Sequence, residues 1–347
     1  MGVGATVLGV FVVGDRGGPV FLGKQVRGPA AAAGHEVIGI DLMLDAVHGP
    51  NAEPPEGVSQ VDVRDGAALA PLLAGIDVVC HLAAVSAGSP ADMATHNDLG
   101  TAALLGAMDQ AKVRRLVLAS SITVYGEGRY RSVRGGPFFP GLRRRADLDR
   151  GLFDHRAPRT GEVLTWEPVG EDAPLRPRGS YGASKAAQEN YAFAWGLGVG
   201  GAVTALRLHQ IYGDGARTGL VGQLRAALDE GRAPHVFEDG GQVRDFVHVR
   251  DATAAVLAAI ERALPGFVPL NIASGWPITL WELASIMAKA RGGQPPVVTG
   301  QYRIADVRHF VADIERAKRT LGFAPTTPPA KGLAEFATAQ ATAATGG

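Results

Sequence analysis

The sequence predicts a doubly wound α/β fold, a parallel sheet with helices on both faces, joined to a smaller C-terminal lobe. Three observations predict it. Short runs of apolar and β-branched residues recur along the 347-residue chain with helix-length stretches between them. The runs are apolar at nearly every position rather than at alternate ones, as strands covered on both faces must be. Acidic or hydroxyl residues stand where several runs end, and ligands of such folds sit beyond the carboxyl ends of the strands.

The elements follow in order. "VLGVFVV" (7–13) reads as the first strand; the opening segment lacks the basic start and small-residue cleavage site of a secretory signal. "GDRGGPVFLGKQ" (14–25) nearly spells a phosphate-cradling G-x-x-G-x-x-G loop, with Gly17 and Gly23 in register but Val20 in the middle place. The middle glycine lets backbone approach a pyrophosphate, so Val20 predicts weaker cofactor binding. Gly28 and Pro29 fall inside the helix that should follow, and a proline within a helix costs about 3 kcal/mol, which predicts a disturbed helix. Two explanations stand for both anomalies: drift offset by Arg16 near the phosphates, or compensating reading-frame errors in the gene sequence.

"HEVIGID" (35–41) closes on Asp41, about 20 residues past the glycine loop, where a carboxylate can accept hydrogen bonds from an adenosine ribose. "GVSQVDV" (57–63) ends near Asp62, "DVVCHLAA" (77–84) is the fourth run, and "RRLVLASS" (114–121) ends on Ser120 and Ser121; "AVTALRL" (202–208) and "FVPLNIAS" (267–274) complete the series. Residues 128–170, rich in Arg, Pro and Gly, read either as a lid or binding element or as a solvated insertion. The small-residue tail 332–347 reads as a fraying helix and then disorder. A dinucleotide-binding domain over 1–210, with the insertion 128–170 and a later strand near 266–273, and a second lobe mainly over 211–347 are the expected units.

Lys plus Arg and Asp plus Glu number 34 each, so no positive field is available for a nucleic acid or an anionic membrane. Cys80 is the single cysteine, which rules out an intrachain disulfide or a thiolate metal cluster and fits a reducing compartment. No apolar run approaches the roughly 20 residues of a membrane span, so a soluble cytoplasmic protein is expected. Cys80, His81, His209 and His248 read as packed or hydrogen-bonded residues.

"SYGASKAAQEN" (180–190) places Tyr181 and Lys185 four apart on one helical face, and "ASSITVYGEG" (119–128) carries Ser121 off a strand end. A phenol with a pKa near 10 makes a poor base at neutral pH, and a neighbouring ammonium favours the phenolate. With the ordered strand ends, these residues resemble the extended short-chain dehydrogenase/reductases, the NAD-dependent epimerase/dehydratase family, whose dinucleotide domain is a Rossmann sheet.

The resemblance implies Ser121, Tyr181 and Lys185 as catalytic residues, and it implies a cofactor held by Gly17, Gly18, Gly23, Asp41, Asp62, Val63, Ala83, Ala84, Asn97, Tyr181 and Lys185. "DGGQVRDFVHVRD" (239–251) and "YRIADVRHFVAD" (302–313) resemble segments that hold a nucleotide-sugar diphosphate, implying Arg244, Arg303 and Arg308 there, with Gln210 at the sugar in place of a usual Asn. Asp41 without a following Arg favours NAD(H), and Arg16 leaves NADP(H) possible.

"VYGEGRY", "VFEDGGQ" and the insertion are similar to dTDP-rhamnose 4-epimerases and the related 4-ketoreductases. The cysteine pair often found in that insertion is replaced by "APRTG" (157–161), so no metal is expected. Ile122 and Thr123 stand where dehydratases of the family carry Asp and Glu. Gln210 and the altered loop favour a dTDP-4-keto-6-deoxyhexose 4-ketoreductase over a 4-epimerase that retains NAD, with a non-catalytic dinucleotide or sugar-nucleotide sensor as the alternative of another class. The family further implies a homodimer formed through the helix that carries Tyr181.

Overall fold

The computed structural model describes residues 5–10, 20–49, 51–133, 135–216 and 219–339; the glycine loop with Arg16, Gly17 and Gly18, and the side chain of Val20, lie outside the described residues. Each of the seven apolar runs contributes a strand: β1 (Thr6–Val10), β2 (Glu36–Asp41), β3 (Val58–Gln60), β4 (Val78–His81), β5 (Arg115–Ser121), β6 (Ala202–Leu208) and β7 (Phe267–Ile272). They form one sheet in the order β7-β6-β5-β4-β1-β2-β3, parallel throughout. This is the doubly wound arrangement. The order reverses between β1 and β4, which opens a crevice at the carboxyl ends of those strands.

Both faces of the sheet are covered, and β5 shows how. Leu116 and Leu118 point into a core with Leu69 of α2 (Gly66–Leu72), Leu104 and Met108 of α3 (Gly100–Gln110) and Ala192 of α4 (Ser180–Val199). The alternate residues Val117 and Ala119 belong to a second core with Leu22 and Val26 of α1 (Val20–Ala32), Val221 and Leu224 of α5 (Gly219–Asp229), and Ala252 and Val256 of α6 (Val249–Glu261). In register, Ser120 lies opposite Arg207 and Ser121 opposite Leu208, so the ends of β5 and β6 are level.

The helix α1 corrects one expectation. It runs unbroken through Gly28 and Pro29. Pro29 lies in its last turn, where only the hydrogen bond to the carbonyl of Gln25 is lost, and both residues are exposed, so water can take that carbonyl.

The insertion is folded. Residues 129–131, 137–138 and 165–167 make a three-stranded antiparallel sheet, and Tyr130, Arg143, Leu148, Phe153, His155 and Leu164 are buried beneath it. In the C-terminal lobe, α7 (Leu280–Arg291) packs against α5 and against α9 (Pro329–Thr338), with α8 (Glu315–Leu321) beside β7. Of the tail, residues to Thr338 are helical, and those beyond 339 lie outside the described residues. No helix among the described residues is long and apolar enough to cross a membrane.

Candidate active site

The site is built where β5 ends and α4 begins. Ser121, the last residue of β5, caps a short 3-10 turn over Ile122–Val124, its Oγ accepting hydrogen bonds from Thr123 N at 3.2 Å and Thr123 Oγ1 at 2.9 Å. Tyr181 lies in the first turn of α4 and Lys185 in the next. Gly182 lets the helix approach that 3-10 turn: a Cβ there would lie 2.6 Å from Thr123 O. Ser121, Thr123, Tyr181, His209, Gln210 and Arg244 face one cleft of about 770 Å³ between the sheet edge and the C-terminal lobe.

Lys185 lies beneath the cleft, 1% exposed, with Nζ donating to Ala119 O at 2.7 Å and standing 5.8 Å from the centre of the Tyr181 ring. Burial pulls the amine down to about 7, opposed by the charge of Glu189. Burial moves Tyr181 the other way, above its ordinary value. The phenol is therefore held protonated, and the amine titrates near neutrality.

Asn97 sits in a π-helical turn (Ala94–Leu99) that leads into α3, wholly buried. Its Nδ2 donates to Val85 O and Ser184 Oγ, both at 2.9 Å, and its Oδ1 accepts from Val85 N at 2.7 Å. Ser184 in turn donates to Tyr181 O, so Asn97 ties the segment after β4 to the Tyr181 helix.

Of the expected cofactor residues that are described, Asp41 ends β2, Asp62 and Val63 follow β3, and Ala83 and Ala84 follow β4. Gly23 is buried in α1. Asp41 ends β2, buried, accepting from Met43 N at 2.8 Å with His48 Nε2 at 3.4 Å. Asp62 is held by Arg64, whose hydrogen bonds keep the carboxyl below its ordinary range. Val63 packs at the start of α3, against Gly100. Ala83 and Ala84 follow β4, half-buried and buried respectively.

On the substrate side, Gln210 and Arg244 line the cleft, whereas Arg303 is exposed outside its lining with its guanidinium 5.3 Å from the centre of the Phe237 ring. Arg308 corrects the expectation of a diphosphate contact. It is 2% exposed, absent from the cleft wall and consumed by Asp154, Glu238 and Asp239 at 2.6–2.9 Å.

Sequence reasoning missed Arg178, Asp306 and Phe310, which line the cleft, and Glu127, which organises its wall. Glu127 is 3% exposed and accepts from Tyr130 OH, His155 Nε2, Arg178 Nη1 and the backbone N of Arg308 and His309. Burial opposes its ionisation, but the His155 hydrogen bond and the His155 and Arg178 charges bring it down to about 2. Arg178, three residues before Tyr181, was within reach of the motif; Glu127 had no local signal. His81 is packed as expected, bonded to Thr101 Oγ1 at 2.9 Å and pulled down to about 3 by burial and the Lys185 charge.

A doubly wound sheet that brings Ser121, Tyr181 and Lys185 together at its carboxyl edge has the architecture of the extended short-chain dehydrogenase/reductases. The chain belongs to the NAD dependent epimerase/dehydratase family, whose sequence model matches residues 10–139 and 159–273. It is 30% identical to a dTDP-L-rhamnose 4-epimerase of Burkholderia thailandensis over 93% of both chains. It is 28% identical to a UDP-glucose 4-epimerase of Mycolicibacterium smegmatis over 91% of this chain and 94% of that one. Among solved structures it resembles MoeE5 in complex with UDP-glucuronic acid and NAD, at a TM-score of 0.74 and 27% identity, covering 96% of this chain and 97% of that one. The protein is thus an NAD-dependent enzyme of the epimerase/dehydratase type.

Proposed function

We propose that the protein interconverts a nucleoside-diphosphate sugar, of the dTDP-6-deoxyhexose class, and its C4 epimer while keeping NAD bound. The observation that carries this reading is the cleft wall after Ser121: Ile122 and Thr123 line it where dehydratases of the family carry Asp and Glu, which favours hydride chemistry over elimination. The 4-epimerases among the relatives support it over reduction.

The residues present fit the cofactor. Lys185 uses one hydrogen bond among the described residues, to Ala119 O, which leaves two ammonium protons for ribose hydroxyls; Asp41 closes β2. NAD bound there would supply a hydride acceptor for C4 that can give the hydride back. Tyr181 removes the proton of the C4 hydroxyl and restores it, and the Lys185 ammonium, by favouring the phenolate, offsets the burial that holds the phenol protonated. Ser121 Oγ donates a hydrogen bond to the same sugar oxygen. Arg244, which lines the cleft while donating through Nη1 and Nη2 to the carbonyls of Val243, Arg308 and Val307, offers the diphosphate only its remaining donors, and Gln210 meets the sugar. Residues 1–210 with β7 form the dinucleotide-binding unit, and 211–347 mainly the sugar-nucleotide lobe. Exposed Leu99, Tyr191, Phe193 and Leu197 support a homodimer through the Tyr181 helix.

Gln210 in the cleft favours a second reading, the 4-ketoreductase. Incubation with NAD and dTDP-L-rhamnose separates the two: formation of the C4 epimer without accumulating NADH supports epimerisation. Consumption of dTDP-4-keto-6-deoxyglucose, or its 3-epimer, with one NAD(P)H per turnover replaces that reading with reduction. Binding of both ligands without turnover of either leaves a sensor.

A further inference from the structure

Glu189 stands one turn beyond Lys185 and two beyond Tyr181 on the same face of α4, and it is 2% exposed. A carboxylate so deep needs partners, and both come from the sheet. Ser120 Oγ donates to its Oε1, and Arg207 donates through Nε to Oε1 at 3.0 Å and through Nη2 to Oε2 at 2.7 Å. Arg207 is otherwise used by Tyr125 OH and Glu171 O, both at 2.8 Å. Of three consecutive residues at the end of β5, Ala119 O accepts from Lys185, Ser120 binds Glu189 at the cleft wall, and Ser121 faces the cleft beside Tyr181.

We propose that Glu189 is a positioning residue of this site, pinning the end of β5 to α4 through Ser120 so that Ser121 and Tyr181 keep their spacing, and presenting Lys185 with a buried negative charge. The inference rests on the roles proposed above for Ser121, Tyr181 and Lys185. The charged and titratable groups around the amine are Tyr181 and Glu189 on α4, His81 on β4 and, through Glu189, Arg207 on β6. His81 is neutral at working pH, since burial holds it down near 3. Arg207 stays charged. Glu189 is therefore the group whose neutralisation weakens the hold of Lys185 on its proton.

The test compares kcat and KM against pH for the full chain with NAD and dTDP-L-rhamnose, in the unaltered protein, Ser120→Ala, Glu189→Gln, the double variant and Tyr181→Phe. Ser120→Ala is expected to lower kcat about tenfold with KM nearly unchanged, and Glu189→Gln to move the alkaline limb of kcat about one unit to lower pH. The double variant should lose no more kcat than Glu189→Gln alone, because both substitutions break one link. Independent losses that multiply, an unmoved alkaline limb, or Ser120→Ala behaving as the unaltered protein overturns the proposal. Glu189→Gln leaves Arg207 buried without its partner; where that variant does not fold, Ser120→Ala decides alone. Turnover retained in Tyr181→Phe removes the reading of the site itself, whereas its loss alongside unaffected Ser120→Ala removes only the role of Glu189.

Discussion

Burial drives Tyr181 and Lys185 in opposite senses, raising the phenol and lowering the amine. Replacing Tyr181 by Phe removes the group proposed above to carry the C4 proton. Turnover is expected to fall about 10²- to 10⁴-fold with sugar-nucleotide binding preserved, as titration calorimetry would show; a variant that still turns over would assign the proton to another group. Lys185 gives a second test through stability. Its ordinary pKa of 10.5 is lowered to about 7 in the folded protein, so between those values the unfolded chain binds more protons and stability rises with pH. The melting temperature of the unaltered protein, relative to Lys185→Met, should therefore climb from about pH 7 to about pH 10. A difference that stays level would mean the amine is not desolvated.

At the scale of elements, one small residue decides how a helix sits. Gly182 allows α4 to rest on the turn after Ser121, and Gly182→Ala would set a methyl 2.6 Å from Thr123 O. Stability should drop by about 1–3 kcal/mol in urea unfolding, and kcat should fall because Tyr181 moves with its helix. Pro29→Ala should act oppositely, restoring a hydrogen bond in the last turn of α1 and adding about 1 kcal/mol. The strands were legible because β4, β5 and β6 are covered on both faces and write near-continuous apolar runs. Tyr181 and Lys185 were legible because helical spacing brings i and i+4 together, whereas Glu189, one turn further on the same face, was not read because its partners Ser120 and Arg207 come from the sheet. Arg308 misled for a physical reason: Asp154, Glu238 and Asp239 reach it from 154, 70 and 69 residues away, and no local pattern marks an arginine as spent.

Glu127 works at the scale of the whole molecule. Its donors come from the insertion (Tyr130 and His155), from the approach to α4 (Arg178) and from the C-terminal segment (Arg308 and His309), so one carboxylate joins three regions around the cleft. Neutralising it leaves Arg178 short of its counter-charge in a largely buried setting, and Glu127→Gln is expected to cost about 3–5 kcal/mol at neutral pH. The pH dependence has a definite sign. The carboxyl titrates ordinarily near 4.5 and is lowered to about 2 in the folded protein, so its contribution is complete above 4.5 and is lost as pH falls through 2. Urea midpoints of the two proteins should accordingly converge as the pH is lowered from about 5 to about 2.5, the unaltered protein losing stability faster. Midpoints that keep a fixed separation across that range would mean the acidic link among insertion, Tyr181 helix and C-terminal segment lies elsewhere, since only a group that is ionised in the folded protein and protonated in the unfolded one makes the gap close.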